Sequence, residues 1–375
     1  ETDFQITEGG PDDEWEDTRT PFYEQEKNID PERFEIDRMI RSSWSTESFG
    51  VRIPAGESWL LSEDEKLCDE IMKEGMTPLN EEGPPYRWVA PMTWYPGVVM
   101  PRTEASYLNA LKRLTSLEIR AKKERQIEWL NEYMDSMLDK GYIRQVLERD
   151  GTVPNEKANY VPIFYVLNKN KTVLKPRLVY DFASKVKGVS INDCLMTPKD
   201  LMPPLRRRLI DFRLHKYAVC GDIEQMFHRV RVSPEDAARQ RILWRWGNPN
   251  NPVEVFELQV LAFGPTCAPT LAMYAKNNNA RVNNASPRAL KAIERDYVDN
   301  SMESYATLDE AIETTKEIIA IDAAGSFKLR DIVANHKEIL RHLPVDHISD
   351  KMEKEFKDEQ QSEQILGTTW NIAED

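Results

Sequence analysis

The chain has 375 residues, 40% of them hydrophobic, so it can bury a core in two or three domains or lobes, and wholesale disorder is excluded. Its four cysteines and five histidines are scattered, which excludes a CxxC pair and a structural zinc site and is ordinary for a reducing compartment. The net charge of −14 is uneven: residues 1–105 carry 10 basic and 25 acidic side chains, residues 342–375 carry 3 and 9, and residues 106–341 carry 37 and 30. The sequence thus predicts a weakly basic centre, able to meet polyanions such as nucleic acid, between acidic ends.

The first 102 residues fall into two parts. Residues 1–32 are acidic and interrupted by Gly and Pro, which is typical of a solvated arm or linker that could still dock on a protein partner. Residues 33–102 contain the turn-rich stretches "EEGPPYRW" and "APMTWYPG", and their pattern places no element. Because no charged segment followed by an apolar one opens the chain, we expect no secretory signal and an intracellular protein, cytoplasmic or nuclear.

The clearest helical pattern runs from Thr103, a candidate N-cap, to Gly141, a candidate terminator. Between them apolar residues recur at helical spacing: Leu108, Leu111, Leu114, Leu117, Ile127, Leu130, Met134, Met137 and Leu138. The pattern predicts one long or broken helix. Packing on its own domain is the favoured interpretation, and a coiled-coil or partner-binding role is the alternative.

The middle of the chain alternates strand and helix patterns. "NYVPIFYVLNKNKTVLKPRLVYDF" predicts a β-hairpin, "PPLRRRLIDFRLH" a helix and "YAVCGDIEQ" a short strand. "RVRVSPED" and "RQRILWRW" predict a second hairpin-like pair, "VFELQVL" a strand, and "TLDEAIETTKEIIAI" a helix. Since no GxGxxG or GxxxxGK occurs, this mixture predicts an α+β fold rather than a Rossmann or P-loop unit.

The longest uncharged run, "LQVLAFGPTCAPTLAMYA", approaches the length of a membrane span. Gly264, Pro265 and Pro269 interrupt it, and Gln259 and Thr266 make it polar. We therefore expect a buried strand, a turn and a helix start, and no membrane association.

Two aspartates each follow an apolar, strand-like run: Asp222 after "YAVCG" and Asp299 within "DYVDN". Singly, each is more often a turn or cap residue. Together, with the loop "FGPTCAP" between them in sequence, they suggest strands that converge on a shared cation. A polymerase needs this arrangement because two Mg²⁺ ions about 3.5–4 Å apart clamp the attacking and leaving oxygens of a phosphoryl transfer.

Six segments carry a resemblance to a known family. In chain order they are "KPRLVYDFASKVKGVSINDCL", "DFRLHKYAVCGDIEQMFHRVRVSPEDAARQRILWR", "FELQVLAFGPTCAPTLAMYA", "DYVDN", "AAGSFKLRDIVANHKEIL" and "ILGTTWNIAED". In order and spacing, the chain from about Thr103 to Asp375 resembles the reverse-transcriptase domain of BEL/Pao-type LTR retrotransposons. The resemblance implies right-hand polymerase fingers and a ferredoxin-like palm over residues 103–375, after the acidic arm 1–32 and an N-terminal extension 33–102. The matched region ends at the primer-grip motif, so the resemblance predicts fingers and palm without a thumb.

The resemblance also implies roles for particular residues. Asp222, the Ile223 carbonyl and Asp299 would hold Mg²⁺, with Mn²⁺ as the alternative ion, and Asn300 stands beside them at the catalytic turn. The substrate-binding set would be Arg177 and Lys175 on the triphosphate, Phe227 as the gate against a 2′-hydroxyl, and Phe263, Gly264 and Pro269 against the nucleotide and template. Leu366 and Gly367 match the primer-grip turn, and Lys328 and Arg330 lie in the later palm motif. The implied partners are dNTPs and an RNA/DNA template-primer.

Asn300 is the main departure from the family pattern, which has Tyr-x-Asp-Asp where this chain has Tyr-Val-Asp-Asn. An amide keeps an oxygen ligand but removes a negative charge from a site meant for two dications, so reduced activity is expected. Two hypotheses stay open at this point. One is an RNA-directed DNA polymerase, and the other is a domesticated or catalytically defective relative that binds nucleic acid or acts as a protein scaffold.

Overall fold

The computed structural model describes residues 61–79, 86–101, 103–147, 158–167, 176–349, 362–365 and 368–372. The predicted acidic arm 1–32 and the first part of the extension 33–102 lie outside these residues. From Leu61 onward the chain forms one compact unit.

Helices and strands alternate along the described chain. The helices are α1 (Glu63–Gly75), α2 (Thr103–Lys123), α3 (Ile127–Asp139), α4 (Leu205–Asp211), α5 (Pro234–Ala238), α6 (Ala268–Val282), α7 (Pro287–Glu294), α8 (Leu308–Ala324) and α9 (Lys337–Arg341). The strands are β1 (Thr77–Pro78), β2 (Trp88–Ala90), β3 (Ile143–Gln145), β4 (Ile163–Leu167), β5 (Pro176–Tyr180), β6 (Tyr217–Ile223), β7 (Arg231–Val232), β8 (Arg241–Trp244), β9 (Glu254–Leu258), β10 (Asn300–Tyr305), β11 (Leu329–Ala334), β12 (Ser362–Ile365) and β13 (Thr368–Asn371). Short 3₁₀ turns occur at Asn192–Cys194, Met226–Arg229 and Val345–His347. This mixture agrees with the predicted α+β class.

The sheets are small, and one of them carries Asp222, with Asp299 in the turn just before another of its strands. That sheet has the order β10-β6-β11, with both outer strands antiparallel to β6. A second sheet has the antiparallel order β3-β9-β8, and in a third β2 pairs antiparallel with β1 and parallel with β7. The antiparallel pairs β4-β5 and β12-β13 stand as two-stranded ribbons.

The core of the aspartate-bearing sheet lies between its strands and helices α6 to α8. The central strand β6, "YAVCGDI", is buried at five of its seven residues, and α8 packs against all three strands. Helices α6, α7 and α8 also pack on one another. Burial of this apolar strand supplies the main driving force that fixes its position, and the polar Asp222 near its end is left at the edge of the core.

The predicted helix from Thr103 to Gly141 is a broken one. Helix α2 ends at Lys123 and α3 begins at Ile127, with Arg125 between them at a φ of +54°. Gly141 follows α3 at a φ of +63°, as a helix-terminating glycine does. The N-cap prediction for Thr103 was wrong by one position, because Thr103 is already the first residue of α2; its hydroxyl donates to the Ala158 carbonyl at 2.7 Å.

The hairpin predicted between "RVRVSPED" and "RQRILWRW" was also wrong. Strand β7 pairs with β2, and β8 pairs with β9, so the two segments never pair with each other. The physical reason lies in the connection, where Ser233 caps a short helix that begins at Pro234. The hairpin predicted around Asn-Lys-Asn is confirmed by the antiparallel pair β4-β5, and its turn lies outside the described residues.

The extension, for which the sequence pattern placed nothing, contains helix α1. Ser62 accepts from the Glu65 amide at 3.2 Å while Glu65 accepts from the Ser62 amide at 2.8 Å, which is a complete capping box. The Ser-x-x-Glu spacing was therefore the signal that could have located the helix start.

The long uncharged run folds as expected. It begins at the last residue of β9, turns at Gly264 and continues into α6. Within the described part of the chain, no helix combines the length and apolar character needed to cross a membrane.

Candidate active site

Three polar residues lie side by side at one end of the β10-β6-β11 sheet. Asp222 on β6 is the direct cross-strand partner of Asn300 on β10 and of Arg330 on β11. Directly opposed residues project from the same face of a sheet, so the three side chains form a row with the carboxylate in the middle. Asp222 is 38% exposed and Arg330 is 43% exposed, which leaves the row open to solvent.

Asp299 joins this row through a tight turn before β10. Tyr297 and Asn300 exchange backbone hydrogen bonds of 3.0 Å in both directions, which closes a two-residue loop at Val298 and Asp299. The Ile223 amide donates to the Asp299 carbonyl at 2.8 Å, so the turn is attached to the end of β6. Val298 has a φ of +56°, a strained conformation for a β-branched residue that costs about 1–3 kcal/mol. The surrounding structure therefore holds Asp299 in a fixed place near Asp222.

The two carboxylates interact electrostatically. Burial raises the pKa of Asp222, and the negative charge of Asp299 raises it further, while Arg330 opposes both effects from 3.4 Å. Burial also raises the pKa of Asp299, and the Asn300 side chain opposes this by donating from Nδ2 to Asp299 Oδ1 at 3.1 Å. Asn300 therefore acts in this structure as a hydrogen-bond donor that stabilises the neighbouring carboxylate.

This donor set fits a hard divalent cation held by few protein ligands. Mg²⁺ commonly binds through one or two carboxylates and keeps several waters, and two half-buried carboxylates that repel each other are what such an ion would neutralise. Among the described residues no group of three or more His, Cys, Asp or Glu side chains could hold a metal ion. Asp222 and Asp299 would be the carboxylate ligands of such an ion, and water would complete its coordination.

Phe227 and Phe263 form an aromatic pair, and Phe227 is close in sequence to Asp222. Phe227, five residues after Asp222, is buried in the 3₁₀ turn Met226–Arg229, and its ring centroid lies 4.4 Å from that of Phe263. Phe263 is 50% exposed, so it presents an apolar surface to solvent. The structure thus brings together two of the residues that the sequence assigned to nucleotide binding.

Gly264 allows the loop of Phe263 to approach the β4-β5 hairpin. Its φ is +133°, and a Cβ there would lie 2.8 Å from Phe182 Cδ2 and 2.9 Å from the Tyr180 carbonyl oxygen. Asn192 clamps the same loop, donating to the Gly264 carbonyl at 3.0 Å and accepting from the Thr266 amide at 3.3 Å. Glycine is thus required here by the protein's own backbone and by Phe182, while the predicted contact of Gly264 with nucleotide and template stays a prediction.

Of the remaining predicted site residues, the structure describes Arg177 and Pro269. Arg177 is exposed on β5 opposite Val166, on the strand that ends at Tyr180 beside Gly264. Pro269 is in the first turn of α6 and is partly buried. Lys175, Leu366 and Gly367 lie outside the described residues, so their roles stay predictions.

Sequence reasoning missed contacts around Asp222. It placed Arg330 in a palm motif without its contact to Asp222, and it did not single out Glu224, which accepts from Arg229 at 2.5 Å. It also passed over His228, a buried residue whose ring lies 6.0 Å from that of Phe263. Burial, with added repulsion from Lys140 and Arg229, lowers the pKa of His228 to about 4, so this ring is neutral at pH 7. The contact between Arg330 and Asp222 depends on the pairing register of β11 with β6, which a local sequence pattern does not show.

A second charge cluster is buried behind the Asp299 turn. Lys276 of α6 contacts Asp296, just before the turn, and lies 3.8 Å from Asp322 of α8. All three side chains are at most 3% exposed. Burial raises the pKa of Asp322 to about 7 against the opposing charge of Lys276. This cluster ties helices α6 and α8 to the segment that carries Asp299.

Comparison with known proteins finds no matching family model and no matching curated protein. Among solved structures, the chain is similar to a foamy viral protease-reverse transcriptase in complex with an RNA/DNA hybrid, at 13% identity and a TM-score of 0.42, covering 80% of this chain and 31% of that one. It is also similar to the native protease-reverse transcriptase of Prototype Foamy Virus, at 14% identity and a TM-score of 0.40, covering 64% and 26%. The chain thus spans less than a third of the length of either structure, and these values are too low to carry an argument about activity.

The fold and site define the chain as an α+β protein with a pair of half-buried carboxylates at one end of a three-stranded antiparallel sheet.

Proposed function

We propose that this protein is the fingers and palm of an RNA-directed DNA polymerase of BEL/Pao type, which transfers nucleotides from dNTPs to a primer 3′-hydroxyl on an RNA/DNA template-primer. The observation that carries the proposal is the convergence of Asp222 and Asp299 at one sheet end, where each carboxylate is half-buried and Asp299 raises the pKa of Asp222. The order of the six sequence motifs supports the same class.

In the proposed reaction Asp222, Asp299 and the Ile223 carbonyl would hold the metal. Bound Mg²⁺ or Mn²⁺ would supply the positive charge that neutralises the phosphate oxygens and favours ionisation of the primer hydroxyl. The hydrogen bond of 3.1 Å from Asn300 orients Asp299 and opposes the rise in its pKa that burial causes. Catalysis by this chain is thus a matter of positioning and charge rather than covalent chemistry.

Substrate contacts come from the residues around the carboxylates. Arg177, exposed on β5, would bind the triphosphate with its planar guanidinium, with Lys175 as a helper. Phe227 is held rigidly by burial and by its contact with Phe263, which suits a gate that rejects a 2′-hydroxyl by steric exclusion. The loop of Phe263 and Gly264, continued by Pro269, would pack against the nucleotide and template, and Leu366 and Gly367 would grip the primer.

The second candidate function is a catalytically defective relative that binds nucleic acid or acts as a scaffold, with the acidic N-terminal region as a protein-binding arm. Two observations favour it. Asn300 removes one negative charge from the site, and Arg330 already lies 3.4 Å from Asp222.

Primer extension on an RNA template distinguishes the two candidates. We expect dNTP addition with Mg²⁺ or Mn²⁺, a loss of at least about a hundredfold in Asp222→Asn because a metal ligand charge is removed, and a gain in Asn300→Asp. Asp135→Asn, an exposed acid on α3, is the matched control and should extend primers as the unmodified chain does.

The result that rules out the enzyme is equally concrete. If neither the chain nor Asn300→Asp adds nucleotides with either ion, the polymerase proposal fails and the scaffold function stands. If extension occurs and Asp222→Asn abolishes it, the scaffold function is excluded as the sole role.

A further inference from the structure

Arg330 reaches three carboxylates from one position beside the candidate metal site. Its guanidinium lies 3.4 Å from Asp222, 3.5 Å from Asp331 and 4.0 Å from Glu224. At 43% exposure the side chain is not locked in a core. Arg330 therefore has alternative acidic partners within reach when its contact with Asp222 is broken.

The backbone of β11 directs Arg330 toward Asp222. Pairing with β6 is regular at Leu329 and Arg330 and then shifts register before Val333, and Asp331 at this irregularity has a φ of +50°. Bulges of this kind re-aim side chains and occur beside functional sites. The contact with Asp222 is thus a consequence of strand geometry rather than of chance rotamer choice on an exposed surface.

We propose that Arg330 is a built-in counter-ion of the carboxylate site, which competes with a divalent metal for Asp222 and swings to Glu224 and Asp331 when the metal binds. This inference rests on the proposed function, since it concerns the same site. It assigns to Arg330 a role as a positioning residue that sets metal affinity and does not itself touch substrate.

The net charge of the site explains why Arg330 would change the affinity for a metal ion. Asp222, Asp299 and Arg330 sum to one negative charge, and an acid at position 300 or the loss of Arg330 would each raise that to two. A dication close to an added unit charge gains Coulomb energy even in a solvated site. Asn300 lacks the negative charge of an acid and Arg330 adds a positive one, so each lowers the attraction for metal, from opposite sides of Asp222.

Mn²⁺ binding, measured as the loss of the free-ion electron paramagnetic resonance signal, tests this on the full chain without any polymerase assay. Because the chain is acidic overall, the relevant binding is the portion that Asp222→Asn removes. We expect Arg330→Gln to bind Mn²⁺ at this site about tenfold more tightly than the unmodified chain. Arg330→Lys, which keeps the charge, should stay within about twofold.

Arg341→Gln, an exposed arginine on α9 that pairs with Glu338 at 2.9 Å, is the matched control and should leave Mn²⁺ affinity unchanged. Unchanged or weaker binding in Arg330→Gln overturns the inference, and so does equal tightening in Arg341→Gln. If Asn300→Asp tightens binding while Arg330→Gln does not, the metal site of the proposed function stands and only the role of Arg330 fails. If no variant shows binding that depends on Asp222, both fail.

Discussion

Two charge clusters lie only three residues apart in sequence, one at Asp296 and one at Asp299, and their environments are opposite. Asp296, Lys276 and Asp322 are at most 3% exposed, whereas Asp222, whose pKa the charge of Asp299 raises, and its partner Arg330 are 38% and 43% exposed. Each cluster consists of two carboxylates and one basic side chain. The difference between them is burial: one cluster is enclosed by the core and the other is reached by solvent.

The energetic consequence follows from desolvation. A buried ion pair cannot lose one partner without leaving an uncompensated charge in a low-dielectric interior, whereas an exposed pair contributes little because water replaces the partner. The buried cluster therefore serves the fold, and the open one is available to a ligand.

Lys276→Met should have the largest effect on this comparison. It leaves Asp296 and Asp322 buried without a cation, and we expect the free energy of unfolding to fall by about 3–5 kcal/mol. Urea-induced unfolding measures it. Lys316→Met, in which an exposed lysine loses a 3.7 Å pair with Glu313, should change the unfolding free energy by less than about 0.5 kcal/mol. Equal effects in both variants would mean that the cluster is not a structural tie.

The pH dependence of stability in Asp322→Asn tests the buried cluster. The folded-state pKa of Asp322 is raised to about 7, above its unfolded value, so between about pH 4 and pH 7 the native state binds the extra proton and stability falls as pH rises. Asparagine does not titrate, so Asp322→Asn does not lose stability in this way as pH rises. We expect its stability relative to the unmodified chain to rise from pH 5 to pH 7, by up to about 1.4 kcal/mol per pH unit.

Unfolding free energies at a series of pH values measure this difference. Shifts in the pKa values of acids distant from this cluster cancel between the two proteins. A difference that is flat with pH would show that Asp322 does not titrate in this range.

Asp299→Asn should have the smallest effect on stability. The carboxylate is half-buried and its charge raises the pKa of Asp222, so its removal relieves repulsion, and we expect a change of less than about 1 kcal/mol in unfolding free energy. Mn²⁺ binding dependent on Asp222 should nevertheless be lost. A destabilisation as large as that of Lys276→Met would mean that the open cluster is as structural as the buried one.

Local patterns predicted the elements whose signals lie within a few residues. The β4-β5 hairpin, helix α8 and strand β6 all follow from periodicity or β-propensity over short windows, and they form as predicted. Pairing between distant strands does not follow from such windows. The segment "RVRVSPED" carries β-propensity, yet β7 pairs with β2, more than 130 residues earlier, because a capped helix occupies the connection to β8.

The candidate site divides in the same way. The sequence by itself indicated that Asp222 and Asp299 follow apolar runs, and the resemblance singled out Asn300, Phe227 and Phe263. Only the tertiary structure decided that Asn300, Asp222 and Arg330 form one row and that Lys276 is buried against Asp296 and Asp322. The physical reason is that strand register and burial arise from contacts among β6, β10, β11 and helices α6 to α8, which no local pattern encodes.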